Sequence, residues 1–249
     1  MSQENVNDFE SPNIISLLVQ YLSGMQGKSF FERFENVIFS LMAMGILGVF
    51  IYLASRKISL IPGRWQSSVE LLVEGINHMF GELLGTHGKK FIPLAGTLFI
   101  YILCMNLLGL IPLMKSSTSN LSTTAALAIC AFGCFLYTAI KEEGISGFLY
   151  HLAGKPKGDR WLIVFMWFFI FPIEVITVFI RPITLSLRLQ GNISSEDLIL
   201  SLLAHFGFGG ALVLPFMTLL ALLAAVIQAF VFSFLTTIYL ASIINEEEH

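Results

Sequence analysis

The sequence predicts an all-α membrane protein with five transmembrane crossings, an amphipathic helix on the membrane surface, and a long, steeply tilted hairpin of two helices. Charged residues make up 12% of the 249-residue chain and hydrophobic residues 55%, whereas soluble domains carry about 25% charged residues. No polar stretch is long enough to bury a core of its own. We therefore expect one polytopic domain with an outer tail (1–36), three spans (37–160) and the hairpin (161–245).

The beginning of the chain is polar and acidic, and the first apolar run that is long enough to span a bilayer is 37–54. A secretory signal would need a basic start followed by an apolar core. The polar tail has neither, so the first span is expected to serve as the insertion signal.

The stretch 64–84 has helical periodicity of an amphipathic kind. Apolar residues recur at three- and four-residue steps on one side, and polar or acidic residues occupy the other. This pattern predicts a helix that lies along the membrane surface. The apolar side consists of Val69, Leu72, Val73, Ile76, Phe80 and Leu83, and the polar side of Gln66, Glu70, Glu74, Asn77 and Glu82.

Two further spans are predicted at 91–114, which contains Asn106, and at 124–140. Their orientation follows from the basic residues in the connections. Segment 55–90 carries five Lys or Arg and 141–160 carries four, whereas 115–123 carries one. Basic connections stay in the cytoplasm, so the N-terminus is expected outside and the C-terminus inside, in a bacterial cytoplasmic membrane.

The last third reads as two helices that are too long to stand upright. Segment 161–202, interrupted only by Pro172 and Pro182, would be about 60 Å long, against a hydrocarbon core of about 30 Å. GFGG at 207–210 is the strong helix breaker and is expected to form the turn. The second helix, 211–244, would be about 50 Å long. Both must therefore tilt.

The first of these helices carries charges in an otherwise apolar run. Glu174, Arg181 and Arg188 lie seven residues apart and so share one helical face with little drift. Thr177, Thr184 and Asn192 join that face. Charges inside a bilayer usually mark an ion pathway or substrate site. Alternatively, Glu174 and Arg181 could pair through a neighbouring helix and serve packing alone.

Four motifs in order resemble one known family. They are MNLLGLIP at 105–112, TSNLSTTAALA from Thr118, RPITLSLRLQGN at 181–192, and IQAFVFSFLTTIYLA from Ile227. Together they resemble subunit a of F-type ATP synthase, the stator component of its membrane sector. The resemblance implies that the two long helices curve against a rotating ring of c subunits, and that a peripheral stalk of b subunits and other synthase subunits are further partners.

The resemblance also implies roles for individual residues. Arg188 would face the ion-binding carboxylate of each passing c subunit, with Gln228 as a hydrogen-bonding neighbour. Water must reach that carboxylate from both sides through two half-channels. Candidates for the outer half-channel are Asn192, Glu196, Asp197, Asn106, Ser122 and Thr123; candidates for the inner one are Glu174 and Arg181.

The implied function is non-catalytic. The chain would pass H⁺ or Na⁺, contact lipid and the other synthase subunits, and need neither cofactor nor metal. A phosphate loop of the GxxxxGK[ST] type is absent, and no basic cluster suggests nucleic acid. The cysteines Cys104, Cys130 and Cys134 lie in apolar runs and are interpreted as packing residues.

The sequence departs from the family pattern at a few positions, and one other class of protein remains as an alternative. Gln190, Ser117, Ser122 and Ala221 replace residues that are common in relatives, and His205 could compensate for Ala221. The alternative is a stand-alone secondary transporter or channel, although no inverted repeat relates the halves. An intramembrane enzyme would need a motif such as GxSxG or HExxH, and neither is present.

Overall fold

A computed structural model describes residues 28–55, 63–85, 87–111, 114, 116–152 and 160–244. Within these ranges the chain is helical and contains no strand, which confirms the all-α expectation. The helices are α1 (Lys28–Ser55), α2 (Arg64–Leu84), α3 (Ile92–Gly109), α4 (Leu121–Leu152), α5 (Arg160–His205) and α6 (Gly207–Ile244), with short 3₁₀ turns at His87–Phe91 and Ser117–Ser119.

Five of these helices are long and apolar enough to cross a membrane, as predicted. Their spans are Asn36–Leu53, Gly88–Gly109, Leu121–Lys141, Phe168–Leu203 and Leu212–Ser242. The chain is therefore an integral membrane protein with five candidate crossings. Most of the predicted outer tail, and the connection at 56–62, lie outside the described residues.

Helix α2 has the bounds that its periodicity predicted. Ile76, Phe80 and Leu84 are buried against the start of α3, whereas the acidic side chains opposite are exposed. The helix ends at Gly85, whose φ of 62° suits a glycine because it has no Cβ. Leu71 and Val73 remain exposed, so part of the apolar surface is left for a membrane to cover.

Helix α3 ends at Gly109, earlier than the predicted end of the span at 114. The chain turns back sharply there, and a side chain at Gly109 would collide with Ser116. The segment that follows, expected as a connection between two spans, is buried at Ser116, Ser117 and Thr118. Pro112 lies outside the described residues.

Helix α4 continues well beyond its predicted end at 140, because the chain bends at Gly144 and then resumes a helix as far as Leu152. Gly144 has a φ of 70°, a conformation that most other residues avoid. The predicted span at 124–140 did not include the helical turns after this bend.

Helices α5 and α6 form the predicted hairpin, but the turn between them differs. Helix α5 runs through Pro172 and Pro182 to His205, a single residue, Phe206, makes the turn, and GFGG opens α6. The prediction that these glycines form the turn is wrong. Gly210 is required for a different reason: a side chain there would collide with the Leu203 carbonyl.

Both helices of the hairpin exceed the thickness of a bilayer. Their spans contain 36 and 31 residues, which correspond to about 54 and 46 Å against a hydrocarbon core of about 30 Å. Neither helix can stand upright. A buried core joins α5 and α6 to α3 and α4; its members are Leu98, Ile102, Ala128, Ala131, Leu185, Leu189, Ile193, Ala229 and Phe232.

Candidate functional site

The candidate site lies where α5 packs against α6 near the middle of both spans. Leu185, Leu189 and Ile193 form the buried face of α5 at four-residue steps. Arg188 and Asn192 each precede one of these residues directly, so the same helical geometry places them beside the core at the edge of the interface, where both are exposed.

Arg188 stands apart from the ion pairs of the described residues. Within the described part of the chain it makes no hydrogen bond or ion pair. One turn away on the same face, Thr184 and Asn192 are exposed polar residues, and beside them Ile183 and Leu187 are exposed apolar residues. Gly191 is exposed too, and a Cβ added there would meet nothing within 4 Å. The guanidinium therefore stands on an open surface of mixed polar and apolar residues.

Gln228 lies opposite on α6 and is buried, with 4% of its surface exposed. Its Oε1 accepts a hydrogen bond from Nδ2 of Asn192 at 2.9 Å. The sequence placed Gln228 beside Arg188 or a passing carboxylate, and the structure gives it Asn192, one helical turn after Arg188, as its partner. Since the oxygen is occupied, the amide N–H groups of Gln228 remain as donors.

Arg181 lies two turns before Arg188 and has quite different surroundings. Its guanidinium is 3.8 Å from Glu174 on the same helix, 4.6 Å from the Tyr239 ring centroid and 5.8 Å from that of Phe135. The ion pair forms directly along α5 and needs no neighbouring helix. Its charge is therefore neutralised and held between rings of α4 and α6.

A small cavity borders this ion pair. Its volume is about 20 Å³, enough for one water molecule. The lining residues are Ala128, Ala131, Phe132, Phe135, Arg181, Pro182, Leu185, Thr236 and Tyr239. The threonines of the predicted polar stripe make no hydrogen bonds to other helices through these hydroxyls, because Thr177 and Thr184 donate to carbonyls of their own helix.

Asn106 is buried between α3 and α6 rather than open to an aqueous surface. Its Nδ2 donates to the Ala225 carbonyl at 3.3 Å, and its Oδ1 accepts from the Thr118 hydroxyl at 2.7 Å. Sequence reasoning missed Thr118 and Ser116 as part of this network. The run of serines and threonines that overlaps the motif from Thr118 was a signal for such a network. An exposed loop does not need so many hydroxyl side chains.

The other candidates for the outer path lie near this network. Glu196 and Asp197 are partly buried on the next turn of α5 beyond Asn192. Ser122 is exposed, and its backbone N–H donates to the Asn120 side chain, whereas the Thr123 hydroxyl lies 3.3 Å from that of Ser117.

Two residues that the sequence flagged as departures from the family pattern, Ala221 and Gln190, lie off the exposed surface of the site. Ala221 is buried in the row of small residues along α6, and Gln190 is partly buried. The side chain of His205 lies outside the described residues.

The site thus combines one uncompensated cation with a pair of oriented amides. An anion that approaches Arg188 to about 4 Å would be attracted by about 4 kcal/mol at an effective dielectric of 20. The amide donors of Gln228 favour the same ligand. The arrangement suits a carboxylate brought to the exposed surface of α5 by another chain.

Comparison with known proteins gives a consistent result. A family model described as the ATP synthase A chain matches residues 37–241. The ATP synthase subunit a of Protochlamydia amoebophila is 41% identical, over 96% of this chain and 90% of its own length. Subunit a 3 of Pelobacter propionicus is 38% identical (85% and 88%) and subunit a of Moorella thermoacetica 34% identical (85% and 91%). The chain therefore belongs to the ATP synthase A chain family.

Proposed function

We propose that this integral membrane subunit of an ATP synthase is the stationary partner of the rotor. In this proposal it supplies two ion half-channels and a fixed arginine, Arg188, that exchanges H⁺ or Na⁺ with the carboxylates of the c-ring and so couples ion flow to rotation and ATP synthesis. One contrast carries the proposal: Arg181 is paired and stacked, whereas Arg188 is exposed and has no partner within the described residues.

The proposed mechanism follows from the permanence of the charge. A guanidinium stays protonated in essentially any protein environment, so Arg188 acts as a fixed charge and relays no proton. An attraction of about 4 kcal/mol corresponds to about three pKa units, which is enough to empty the approaching carboxylate of its ion. The same charge repels a cation that moves straight across. Ions must therefore leave and enter the ring on different sides.

The amide pair next to Arg188 supports this exchange. Asn192 holds the oxygen of Gln228, which leaves the Gln228 amide as a donor of hydrogen bonds to a carboxylate. Because both groups are neutral, they orient the ligand without adding to the charge of the site.

The half-channels are proposed to reach this point from opposite sides. The outer one would use Asn192, Asn106, Glu196, Asp197, Ser122 and Thr123, and the inner one Glu174 and Arg181. A cavity large enough for one water molecule lies beside Arg181 in this part of the proposed inner path. Catalysis of ATP formation would belong to other subunits.

The partners and orientation are proposals of the same kind. The c-ring would cover the exposed apolar surface around Ile183 and Leu187, and a peripheral stalk of b subunits would anchor the chain. The chain would form one domain in a bacterial cytoplasmic membrane, with the tail 1–36 outside, α2 on the inner surface, and the end of the hairpin 161–245 in the cytoplasm.

The test compares two arginines of one helix in membrane vesicles that carry the whole synthase. We expect Arg188→Ala to leave the complex assembled, because the side chain touches no internal partner among the described residues. It should abolish ATP synthesis and ATP-driven pumping together, since both directions need the carboxylate emptied at one point. Passive ion leak after the soluble ATPase is stripped should persist or rise.

Arg181→Ala serves as the comparison, because it removes the same charge from the same helix at a position proposed to line the inner half-channel and not to meet the rotor carboxylate. We expect it to retain measurable pumping. Near-normal coupled synthesis in Arg188→Ala would refute the role assigned to Arg188 and return Glu174 and Arg181 to consideration as the central group. Co-purification with a c-ring separates the proposal from a stand-alone transporter, which would be isolated by itself.

A further inference from the structure

The short segment Ser116–Ser119 is buried and hydrogen-bonded to several helices at once. Ser116, Ser117 and Thr118 have at most 2% of their surface exposed. The Ser117 hydroxyl donates to the Asn36 carbonyl at the start of the α1 span at 2.7 Å. Burying a hydroxyl group costs free energy unless it is hydrogen-bonded. The burial of this segment therefore depends on its hydroxyls keeping these partners.

One row of hydrogen bonds runs from this segment to α6. The Thr118 hydroxyl donates its single hydrogen to Asn106 at 2.7 Å. The 2.6 Å contact between the Ser116 and Thr118 hydroxyls must therefore take its hydrogen from Ser116. Asn106, with its oxygen engaged, donates to the Ala225 carbonyl at 3.3 Å. Hydroxyls and amides in such a row polarise one another and strengthen each bond.

A second bond joins the same segment to α5. The Ser194 hydroxyl donates to the Ser119 carbonyl at 2.9 Å. Ser194 lies two residues after Asn192 on α5, and Ala225 lies three residues before Gln228 on α6. The segment is thus bonded to α5 directly and to α6 through Asn106 of α3, in both cases within about one turn of the bond between Asn192 and Gln228.

The packing between the helices makes such bonds useful. Along its buried side α6 presents Ala221, Ala225 and Ala229 at four-residue steps. Small residues let helices approach closely, but their methyl groups do little to fix how far a facing helix has slid along α6, and the large apolar side chain buried near this row is Phe232, one turn after Gln228. Directional hydrogen bonds can fix that register where packing cannot.

We propose that the segment Ser116–Ser119 is a positioning element that sets the register of α5 against α6 at the Asn192–Gln228 pair, with Thr118 and Asn106 as its positioning residues. Thr118 need not touch the translocated ion to act in this way, whereas Asn106, which is also proposed for the outer half-channel, would serve in both roles. The inference rests on the proposed function, because its consequence is that Gln228 and Arg188 meet the rotor carboxylate together.

The test uses Thr118→Val, which keeps the shape of the side chain and removes the hydroxyl. We expect the synthase to assemble and its ATP-driven pumping to fall several-fold. Thr118→Ser should restore most of the pumping because it returns the donor. Thr138→Val is the matched control: Thr138 is equally buried, but its hydroxyl donates only within α4, to the Cys134 carbonyl, so pumping should not change.

A second comparison separates positioning from a merely structural effect. If Thr118 acts by placing Gln228, Thr118→Val should reduce pumping little further in a Gln228→Leu background, because coupled residues are not additive. A full additional loss in that background would overturn the proposal, as would normal pumping in Thr118→Val itself.

Ser194→Ala, which removes only the bond to α5, provides an independent variant if Thr118→Val does not assemble. Ser194→Ala should reduce pumping when it is the only change. It should reduce pumping much less when it is added to Asn192→Ala. Normal pumping in Ser194→Ala alone would overturn the proposal. Arg188→Ala is assayed in the same vesicles. Retained coupling in Arg188→Ala would refute the proposed function. If Arg188→Ala is inactive but the losses in the double variants are additive, only the positioning role is refuted.

Discussion

Arg181 and Arg188 carry the same charge on one helix and differ in what surrounds them. Arg181 is balanced by Glu174 and lies against two aromatic rings, so removing it disturbs packing among α4, α5 and α6. Arg188 has open surface around it. A buried charge is tolerated when it is paired, whereas an exposed charge on a membrane face needs a partner from outside the chain.

Gln228→Leu is predicted to impair coupling less than Arg188→Ala. The change removes the acceptor for Asn192 and the amide donors but leaves the fixed charge in place. Interhelical hydrogen bonds in membranes contribute about 0.6 kcal/mol on average, which corresponds to less than a tenfold change in an equilibrium. ATP-driven pumping in vesicles measures the difference. A loss as complete as that of Arg188→Ala would mean that Gln228 is itself an ion-path residue.

At this scale the sequence predicted the charged stripe but not the fate of its members. Seven-residue spacing places Glu174, Arg181 and Arg188 on one face. The ion pair between Glu174 and Arg181 follows from that geometry. The rings that hold Arg181 come from Phe135 and Tyr239, which are distant in the chain. No periodicity within α5 could identify them.

Among the elements, the Ser116–Ser119 segment departs most from expectation. Its composition is typical of an exposed turn, and the positive-inside pattern predicts only its side of the membrane. Its burial depends on Asn106 and Ser194, which belong to two other helices. Local sequence carries no information about such partners.

Cysteine labelling tests both the burial and the side of this connection. Ser122→Cys should react with an impermeant reagent from outside, because Ser122 is exposed. Thr118→Cys should not react, because Thr118 is fully buried. Lys141→Cys, on an exposed position of α4, should react only from the cytoplasmic side. Labelling of positions 122 and 141 from the same side would contradict the five-crossing arrangement.

The hairpin gives a prediction about stability. Gly210→Ala should lower the amount and heat resistance of the subunit in membranes, because the added Cβ would collide with the Leu203 carbonyl. Overpacking of this kind costs about 1–3 kcal/mol. Gly133→Ala is the control: its Cβ would meet nothing within 4 Å on α4, and alanine favours a helix by about 1 kcal/mol. Equal behaviour of the two variants would contradict the close approach at Gly210.

For the whole molecule, the sequence predicted the number of crossings and the excess length of the hairpin. It did not predict which helices are central. The span of α3 has 44% of its residues buried, whereas those of α1 and α5 have 11% each, so α3 lies inside and α5 at the periphery. All three segments are similarly apolar, and apolar residues are equally suited to lipid and to protein neighbours.

The peripheral position of α5 leads to the most direct test of the proposal that Arg188 faces the rotor. Leu187 has 50% of its surface exposed and Leu189 has none, although they flank Arg188. A cysteine is introduced at each position, paired with a cysteine one turn from the ion-binding carboxylate of the c subunit, and disulfide cross-linking is measured in intact membranes. We expect a cross-linked product between this chain and the c subunit for Leu187→Cys and none for Leu189→Cys. A product from Leu189→Cys alone, or from neither variant in an assembled synthase, would contradict the proposal.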